Sequence, residues 1–291
     1  MSNWDDIAAQ IAAAVGCPFS PRPPRRVGGG CINRAVVLTD GDRQVFVKLN
    51  RADRLDMFEA EGAGLAAMAE TGSIRVPRPW CTGISGGESF LAMEYIDLGG
   101  RGDAAAAGRQ LATLHQACAE HFGWHRDNTI GSTPQRNRWN PDWTLFWRNE
   151  RLGFQLDLAA HNGYSGRLRA RGERLMDALP ALIGHNPVPS LLHGDLWGGN
   201  LGFAGDGQPV IFDPAVYYGD READLAMTEL FGGFGPAFHA AYDEVWPVDA
   251  GYPVRRTLYN LYHIHNHLNL FGTGYLGQAE TMIDRLLAET R

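Results

Sequence analysis

Residues 191–214 read LLHGDLWGGNLGFAGDGQPVIFDP, and this stretch constrains the chain more than any other. It holds His193 and Asp195 as a His-x-Asp pair, Asn200 five residues after the Asp, and Asp213 at the end of the apolar run Val210–Ile211–Phe212. Two carboxylates and a carboxamide in this order suit a reaction in which one carboxylate takes the proton of a hydroxyl while oxygen ligands hold a hard cation on a polyanion. On that reading Asp195 is the base, Asn200 and Asp213 hold Mg²⁺, and His193 is structural. An Asp-rich turn between two buried strands accounts for any one of these residues. It does not account for three residue types in this order and register.

The layout is also that of the protein-kinase catalytic loop, His-x-Asp, four residues, Asn, then a strand leading to a metal-binding Asp. The string HGDLWGGN, followed by FDPAVYYGDREADLAMTELFGGF, resembles the fructosamine (ketosamine) kinase family. That family stands with the aminoglycoside phosphotransferases and choline kinases. Trp197 and the run after Asp213 carry the resemblance beyond a generic kinase pattern, and it extends from GGGCIN at Gly28 to the final helix. It implies an α+β, two-lobed protein-kinase-like fold, with a small β-rich N-lobe over residues 1–96 and a larger helical C-lobe over 97–291. It further implies transfer of the γ-phosphoryl of ATP, with Mg²⁺, to O3 of a ketosamine. A 3-phosphorylated ketosamine is labile and frees its amine, so the implied role is deglycation of proteins or metabolites.

Composition bounds the alternatives. With 44% hydrophobic and 20% charged residues, the 291-residue chain reads as a globular protein. A net charge of −7, with no stripe of basic residues, argues against nucleic acid as a partner. The opening MSNWDDIAAQ is acidic where a signal peptide is basic, and no apolar run is long enough to span a bilayer. The cysteines Cys17, Cys31, Cys81 and Cys118 are scattered, which suggests reduced thiols in a cytoplasm rather than a disulfide framework or a zinc site. Among 26 Lys and Arg residues, Lys48 is the only lysine. It falls where a compact ammonium is needed between phosphates and a Glu, a place that the larger planar fork of Arg does not fit.

In chain order, residues 3–15 predict an amphipathic helix capped by Asn3, with Trp4, Ile7, Ile11 and Val15 on one face. The proline-rich segment 18–26 reads as a linker. VGGGCINRAVVLT then predicts a strand–turn–strand whose glycines let backbone N–H groups approach an anion. This places Gly28, Gly29, Gly30, Cys31, Ile32 and Asn33 at the nucleotide. Residues 44–50, QVFVKLN, alternate like a strand, and a helix from about Asp53 to Glu70 carries Glu59 and Glu61. A strand lysine in kinases orients phosphates and pairs with a glutamate of the next helix. The resemblance selects Glu61 as the partner of Lys48 and leaves Glu59 on the surface. Residues 89–96, SFLAMEYI, read as a buried strand, equally an ordinary core strand with a polar end. The resemblance makes Glu94, Tyr95 and Ile96 an adenine-binding hinge behind Met93.

Residues 103–122 predict a helix with Leu111, Leu114 and Cys118 buried, and His115 reads as a hydrogen-bonded core residue. The aromatics Trp124, Trp139, Trp143, Phe146 and Trp147 suit either core packing or the C–H face of a sugar. Asp224, opening the helix after the catalytic stretch, reads as a structural brace. His263, His265 and His267 alternate, but on a helix only His263 and His267 share a face, with no nearby acid to complete a zinc site. The resemblance favours Asn266 and His267 around the acceptor, and Trp197, two residues after Asp195 on the same loop, reads as a wall of that pocket. The attached amine is then expected to project toward solvent, with wide tolerance for its size. Cys31 in the Gly-rich loop is a candidate redox-sensitive thiol.

Two rivals remain at this stage. An aminoglycoside- or choline-type phosphotransferase needs extra carboxylates or an aromatic cage, for which Asp220, Glu222 and the tryptophans are available. A nucleotide-binding pseudokinase regulator needs the loss of Lys48, Asp195, Asn200 or Asp213, and all four are present.

Overall fold

The first helix, α1 (Asn3–Val15), buries Ile7 and Ile11 completely and ends at Gly16, whose φ of +71° favours glycine. Asp5 and Asp6 in its first turn complement the helix dipole. Asn3 is the first helical residue and donates its amide to Glu88, rather than capping the helix. The structure, a computed structural model, describes residues 3–28 and 32–290. It divides into two units, Met1–Asp103 with Gly202–Pro214, and Ala104–Leu201 with Ala215–Arg291. The sequence expectation set the boundary after residue 96 and left 202–214 with the second lobe.

The first unit is built on a five-stranded antiparallel sheet of β1 (Arg25–Val27), β2 (Arg34–Asp40), β3 (Arg43–Arg51), β4 (Pro79–Ser85) and β5 (Glu88–Glu94), in the order β1-β2-β3-β5-β4. The two-residue period of β3 sends Val45, Val47 and Leu49 into the core with Ile7, Ile11, Val36, Leu38 and Phe90. The same period turns Phe46, Lys48 and Asn50 to the other face. Helix α2 (Leu55–Glu70) follows a single 3₁₀ turn and buries Phe58, Leu65 and Met68. Strand β4 is not evident in the sequence, where VPRPWCTG reads only as a helix breaker. Its proline stands at the first position of an edge strand, where no ladder donor is needed, and the register shifts between Pro79 and Cys81.

Residues 202–214 join this unit through main-chain bonds. Gly100 N–H donates to Phe203 O, and Ile211 N–H donates to Arg75 O at 3.1 Å each. A Cβ on Gly100 would stand 2.0 Å from Ala204 O, so only glycine permits the approach.

The second unit is helical. Helix α3 (Ala104–His115) is shorter than the expected 103–122. Beyond His115 the chain pairs like a strand instead, with Leu191 N–H donating to Ala117 O and Ala119 N–H to Pro189 O. A small hairpin, β6 (Asn128–Ile130) and β7 (Thr133–Gln135), precedes α4 (Trp143–Phe146), a π-helical stretch (Trp147–Gly153) and α5 (Phe154–His161). Then come α6 (Arg167–Ile183), the strand pair β8 (Ser190–Leu192) and β9 (Tyr217–Gly219), and α7 (Glu222–Leu230). Helices α8 (Pro236–Val245), α9 (Tyr252–Phe271) and α10 (Leu276–Ala288) complete it. Helix α9 is central, with Leu258, Tyr259, Leu261, Tyr262, Ile264 and Leu268 all buried. Trp124, Trp143, Phe146 and Trp147 are core residues, whereas Trp139 is 49% exposed. No helix among the described residues is long and apolar enough to cross a membrane.

Candidate active site

In the first unit, Lys48 Nζ lies 2.5 Å from Glu61 Oε1 and 2.6 Å from Asp213 Oδ1. The outward phase of β3 and the middle of α2 bring lysine and glutamate together, and the return of 202–214 supplies the aspartate. Burial alone would lower the lysine's pKa, but the charges of Glu61 and Asp213 outweigh it and hold the ammonium protonated. Burial raises the pKa of Glu61, against the pull of Lys48. Asp213 has φ +58°, the single non-glycine with positive φ among the described residues, and its side chain is 47% exposed. A strained, half-exposed carboxylate beside a buried ammonium is a feature of functional sites rather than of cores.

The Gly-rich turn contributes Gly28, Ile32 and Asn33 to the described residues. Gly29, Gly30 and Cys31 lie outside them. Asn50 donates its amide to Asn33 Oδ1 at 2.7 Å and to Ile32 O at 3.3 Å, so it ties the end of the turn to β3. Asn50 escaped the sequence reading, although it lies two residues after Lys48 on the same strand face. Glu59 is exposed, as expected. Met93 is buried in β5, while the Glu94 carboxylate is engaged by Arg75 and by Arg78 N–H. Tyr95 and Ile96 follow β5 and are half-buried.

In the second unit, the loop 193–200 is fixed from several sides. Asp224 accepts the N–H groups of His193 at 2.7 Å and Gly194 at 2.9 Å. Its other partner is His115 Nε2 at 3.2 Å, and His115 Nδ1 contacts Tyr242 Oη at 2.8 Å. Burial would raise the Asp224 pKa, but the bond and charge of His115, the charge of His193 and the Gly194 amide overcome it and hold the carboxyl below its ordinary range. The His193 carbonyl accepts Ala215 N–H, and Asp195 N–H donates to His193 Nδ1. Gly194 has φ +80°, and a Cβ there would stand 2.1 Å from Ala215 O. Asn200 is buried and donates its amide to Asp195 O at 2.8 Å. Asp195 itself is half-buried. Trp197 is 42% exposed, and its ring covers Gly199, where a Cβ would come within 2.2 Å of it.

Asn266 is buried in α9, donates to Ile130 O and accepts from Gln155, so its amide is engaged by the hairpin and α5. His267 is half-buried among aromatic rings. His263 and His265 are buried, and burial pushes their pKa values down to about 3 and about 4. Among the described residues one other group has metal-like spacing, His185, Asp220 and Glu222. Its ligand atoms are already bonded: Asp220 to His185 and Tyr259, and Glu222 to both arms of Arg255. Asp220 and Glu222 are each 1% exposed, so neither carboxylate is available to a polycationic acceptor.

The family model described as fructosamine kinase matches residues 3–289. The chain belongs to the fructosamine kinase family. A member of similar sequence in Synechocystis, named a probable ketoamine kinase, is 49% identical over 288 residues, covering 98% of this chain and 97% of that protein. The protein-ribulosamine 3-kinase of Arabidopsis thaliana, named as chloroplastic, is 47% identical over 266 residues, or 90% of this chain and 81% of its own. A solved structure from Haemophilus somnus, named provisionally as a fructosamine-3-kinase, superposes with a TM-score of 0.89 at 30% identity, covering 98% and 97% of the two chains. The fold is shared more widely. Choline kinase from Streptococcus pneumoniae matches with a TM-score of 0.64 at 13% identity over 99% and 98% of the chains. This fructosamine kinase family member therefore has the mixed α+β, kinase-like fold expected from its sequence.

Proposed function

We propose that the protein is an ATP- and Mg²⁺-dependent ketosamine kinase that phosphorylates O3 of 1-amino-1-deoxyketoses, and that the lability of the product makes it a deglycating enzyme. The names of the Synechocystis and Arabidopsis relatives support the acceptor class and the position. The observation that carries the reading is the bracing of the Asp195 loop by Asp224, a buried carboxylate spent on two backbone amides. A protein with no use for a positioned Asp195 has no use for that arrangement.

In this reading Asp195 accepts the proton of the acceptor hydroxyl as the oxygen forms its bond to phosphorus and the ADP oxygen leaves. A base must come within hydrogen-bond reach, about 2.6–3.2 Å, of the proton that it takes. Lys48 orients the nucleotide phosphates, and Glu61 keeps the ammonium charged and aimed. The donor set suits Mg²⁺: Asp213 offers a half-exposed carboxylate, and Asn200 a carboxamide whose nitrogen is engaged and whose oxygen is the ligand end. When bound, the ion neutralises phosphate charge. Gly28, Ile32 and Asn33 of the Gly-rich turn line the nucleotide, and Met93, Glu94, Tyr95 and Ile96 hold the adenine. Trp197 supplies a flat wall for the C–H face of the ketose, beside His267 and Asn266. The burial of Asp220 and Glu222 removes the carboxylates that an aminoglycoside acceptor requires.

The test is to incubate the protein with Mg-ATP and a ribose- or glucose-derived ketosamine, follow ADP release, and locate the phosphate by NMR. Phosphate on O3 supports the reading. Phosphate on another oxygen, or turnover of kanamycin or choline with none of ketosamines, overturns it.

A further inference from the structure

Four rings on the second unit form one continuous cluster, in which His267 stacks on Phe271 and Tyr275 and meets Phe231 edge to face. Phe231 follows α7, His267 and Phe271 stand one turn apart on α9, and Tyr275 closes the turn after it. His267 is the centre, with centroids 5.0 Å from Phe231, 5.3 Å from Phe271 and 5.1 Å from Tyr275. The outer rings are open to solvent: Phe271 is 63% exposed and Phe231 45%. A lone exposed aromatic is ordinary, but a contiguous set marks a surface that something else covers.

The cluster is continuous with the loop that carries Asp195. Phe231 is followed by Gly232 and Gly233, with φ +76° and +103°. Their backbone lies against Gly198, where a Cβ would stand 2.8 Å from Gly232 O. A Cβ on Gly233 would stand 2.7 Å from Gly198 Cα. No side chain can intervene at this contact, and Gly198 follows Trp197, itself 42% exposed.

We propose that the Phe231–His267–Phe271–Tyr275 cluster is the subsite for the N-substituent of the ketosamine, and that it selects amines with an apolar body. The inference rests on the acceptor assignment made above. A ketosamine nitrogen is a secondary amine, protonated at neutral pH and bonded directly to C1 of the sugar. Its substituent therefore leaves the sugar as a cation followed by hydrocarbon. Aromatic faces attract the first through their quadrupole and the second by desolvation, and they offer nothing to a carboxylate. Burial holds the His267 pKa below its ordinary value, so the central ring is neutral at pH 7 and does not repel the ammonium. The subsite narrows the expectation of an amine that projects freely into water.

The experiment compares four ketosamines that share one ketose and carry ethanolamine, glycine, n-butylamine or benzylamine. Each is assayed with Mg-ATP on the wild type, Phe271→Ser and Phe231→Ser, with the ethanolamine derivative as internal reference. The expected result is a kcat/KM for the butyl and benzyl derivatives about tenfold above the reference in the wild type, expressed in KM. In the two variants that ratio falls toward unity. A flat series in the wild type, or a preference that survives both substitutions, overturns the subsite while leaving the kinase reading intact. No turnover of any of the four by the wild type overturns both. Sedimentation of the same proteins covers the other occupant: a wild-type dimer that Phe271→Ser converts to monomer assigns the cluster to a contact between copies and also overturns the proposal.

Discussion

Asp224 Oδ2 lies 3.2 Å from His115 Nε2, and neither side chain reaches solvent. The pair ties α3 to α7, and the same carboxylate holds the two amides that open the Asp195 loop. An ionised carboxylate is the only side chain of this size that can accept from three donors with charge to spare. Asp224 therefore fixes the start of the Asp195 loop through its backbone.

Asp224→Asn replaces one acceptor oxygen with a donor that faces another donor. Stability at pH 7 should fall by about 1–3 kcal/mol, and kcat by about 10² through misplacement of the loop. Because the folded pKa is depressed, the wild-type carboxylate contributes stability above the unfolded value of about 3.9 and loses it as the pH falls through the folded value. Urea unfolding at pH 7 and pH 3 should therefore show the gap between the two proteins narrowing in acid. A gap of equal size at both values would assign the Asn defect to packing alone.

His265 has no hydrogen-bond partner for either ring nitrogen among the described residues. It and His263 are neutral in the fold at pH 7, at about 4 and about 3. In the unfolded chain each returns to about 6.5. Between roughly pH 4 and 6.5 the unfolded state binds more protons, so stability falls as the pH is lowered, by up to about 1.4 kcal/mol per pH unit for each ring. His265→Leu should raise stability at pH 7 by about 1 kcal/mol and flatten the decline toward pH 5. Parallel curves for the two proteins from pH 7 to pH 5 would be the contrary result.

The sequence was most informative where chemistry and periodicity coincide. The alternation of β3 placed Lys48 opposite Val45, Val47 and Leu49, the 3.6-residue repeat placed Ile7 and Ile11 inside, and the His193–Asp213 pattern picked out the loop that Asp224 braces and the carboxylate that pairs with Lys48. It was silent where long-range packing decides. Strand β4 looks like a proline-broken loop because only its edge position makes Pro79 acceptable. Helix α3 stops at His115 because residues 117–119 pair with 189–191, a contact 70 residues away in the chain. The bonds of Asn50 to Asn33 and Ile32, and of Asp224 to Gly194, join residues distant in the chain and leave no local signature. The exposed aromatic cluster joins Phe231 just after α7, His267 and Phe271 on α9 and Tyr275 in the turn after it, residues far apart in the chain that no local pattern brings together.

Lys48→Arg tests the need for a compact ammonium. Its place between Glu61 and Asp213 is 6% exposed, too confined for a planar guanidinium. Turnover should drop by about 10² or more. Lys48→Met should lose as much activity, yet cost less stability than the about 3–5 kcal/mol of a stranded buried charge. Glu61, whose pKa burial already raises, can take up a proton instead. Thermal melts and ADP-release rates for the two variants check both statements, and near-normal turnover in Lys48→Arg would count against the assignment.

Asp195→Asn isolates the proton-accepting step. The substitution preserves shape, and two of the bonds that fix the loop are made by main-chain atoms: Asp195 N–H on His193 Nδ1 and Asp195 O under the Asn200 amide. Those bonds survive the change, so the fold and the nucleotide affinity should survive with it. What is lost is the charge proposed to accept the hydroxyl proton, and loss of a positioned base costs about 10² to 10⁴ in rate. The expected pattern is a kcat reduced to that extent, with Mg-ADP binding by calorimetry and the melting temperature close to wild type. Asn200→Ala offers the contrast, since it removes the amide under Asp195 O and a proposed metal ligand together. It should weaken Mg-ADP binding as well as turnover. If Asp195→Asn weakened nucleotide binding as much as Asn200→Ala, Asp195 would belong to the nucleotide's metal rather than to the acceptor hydroxyl.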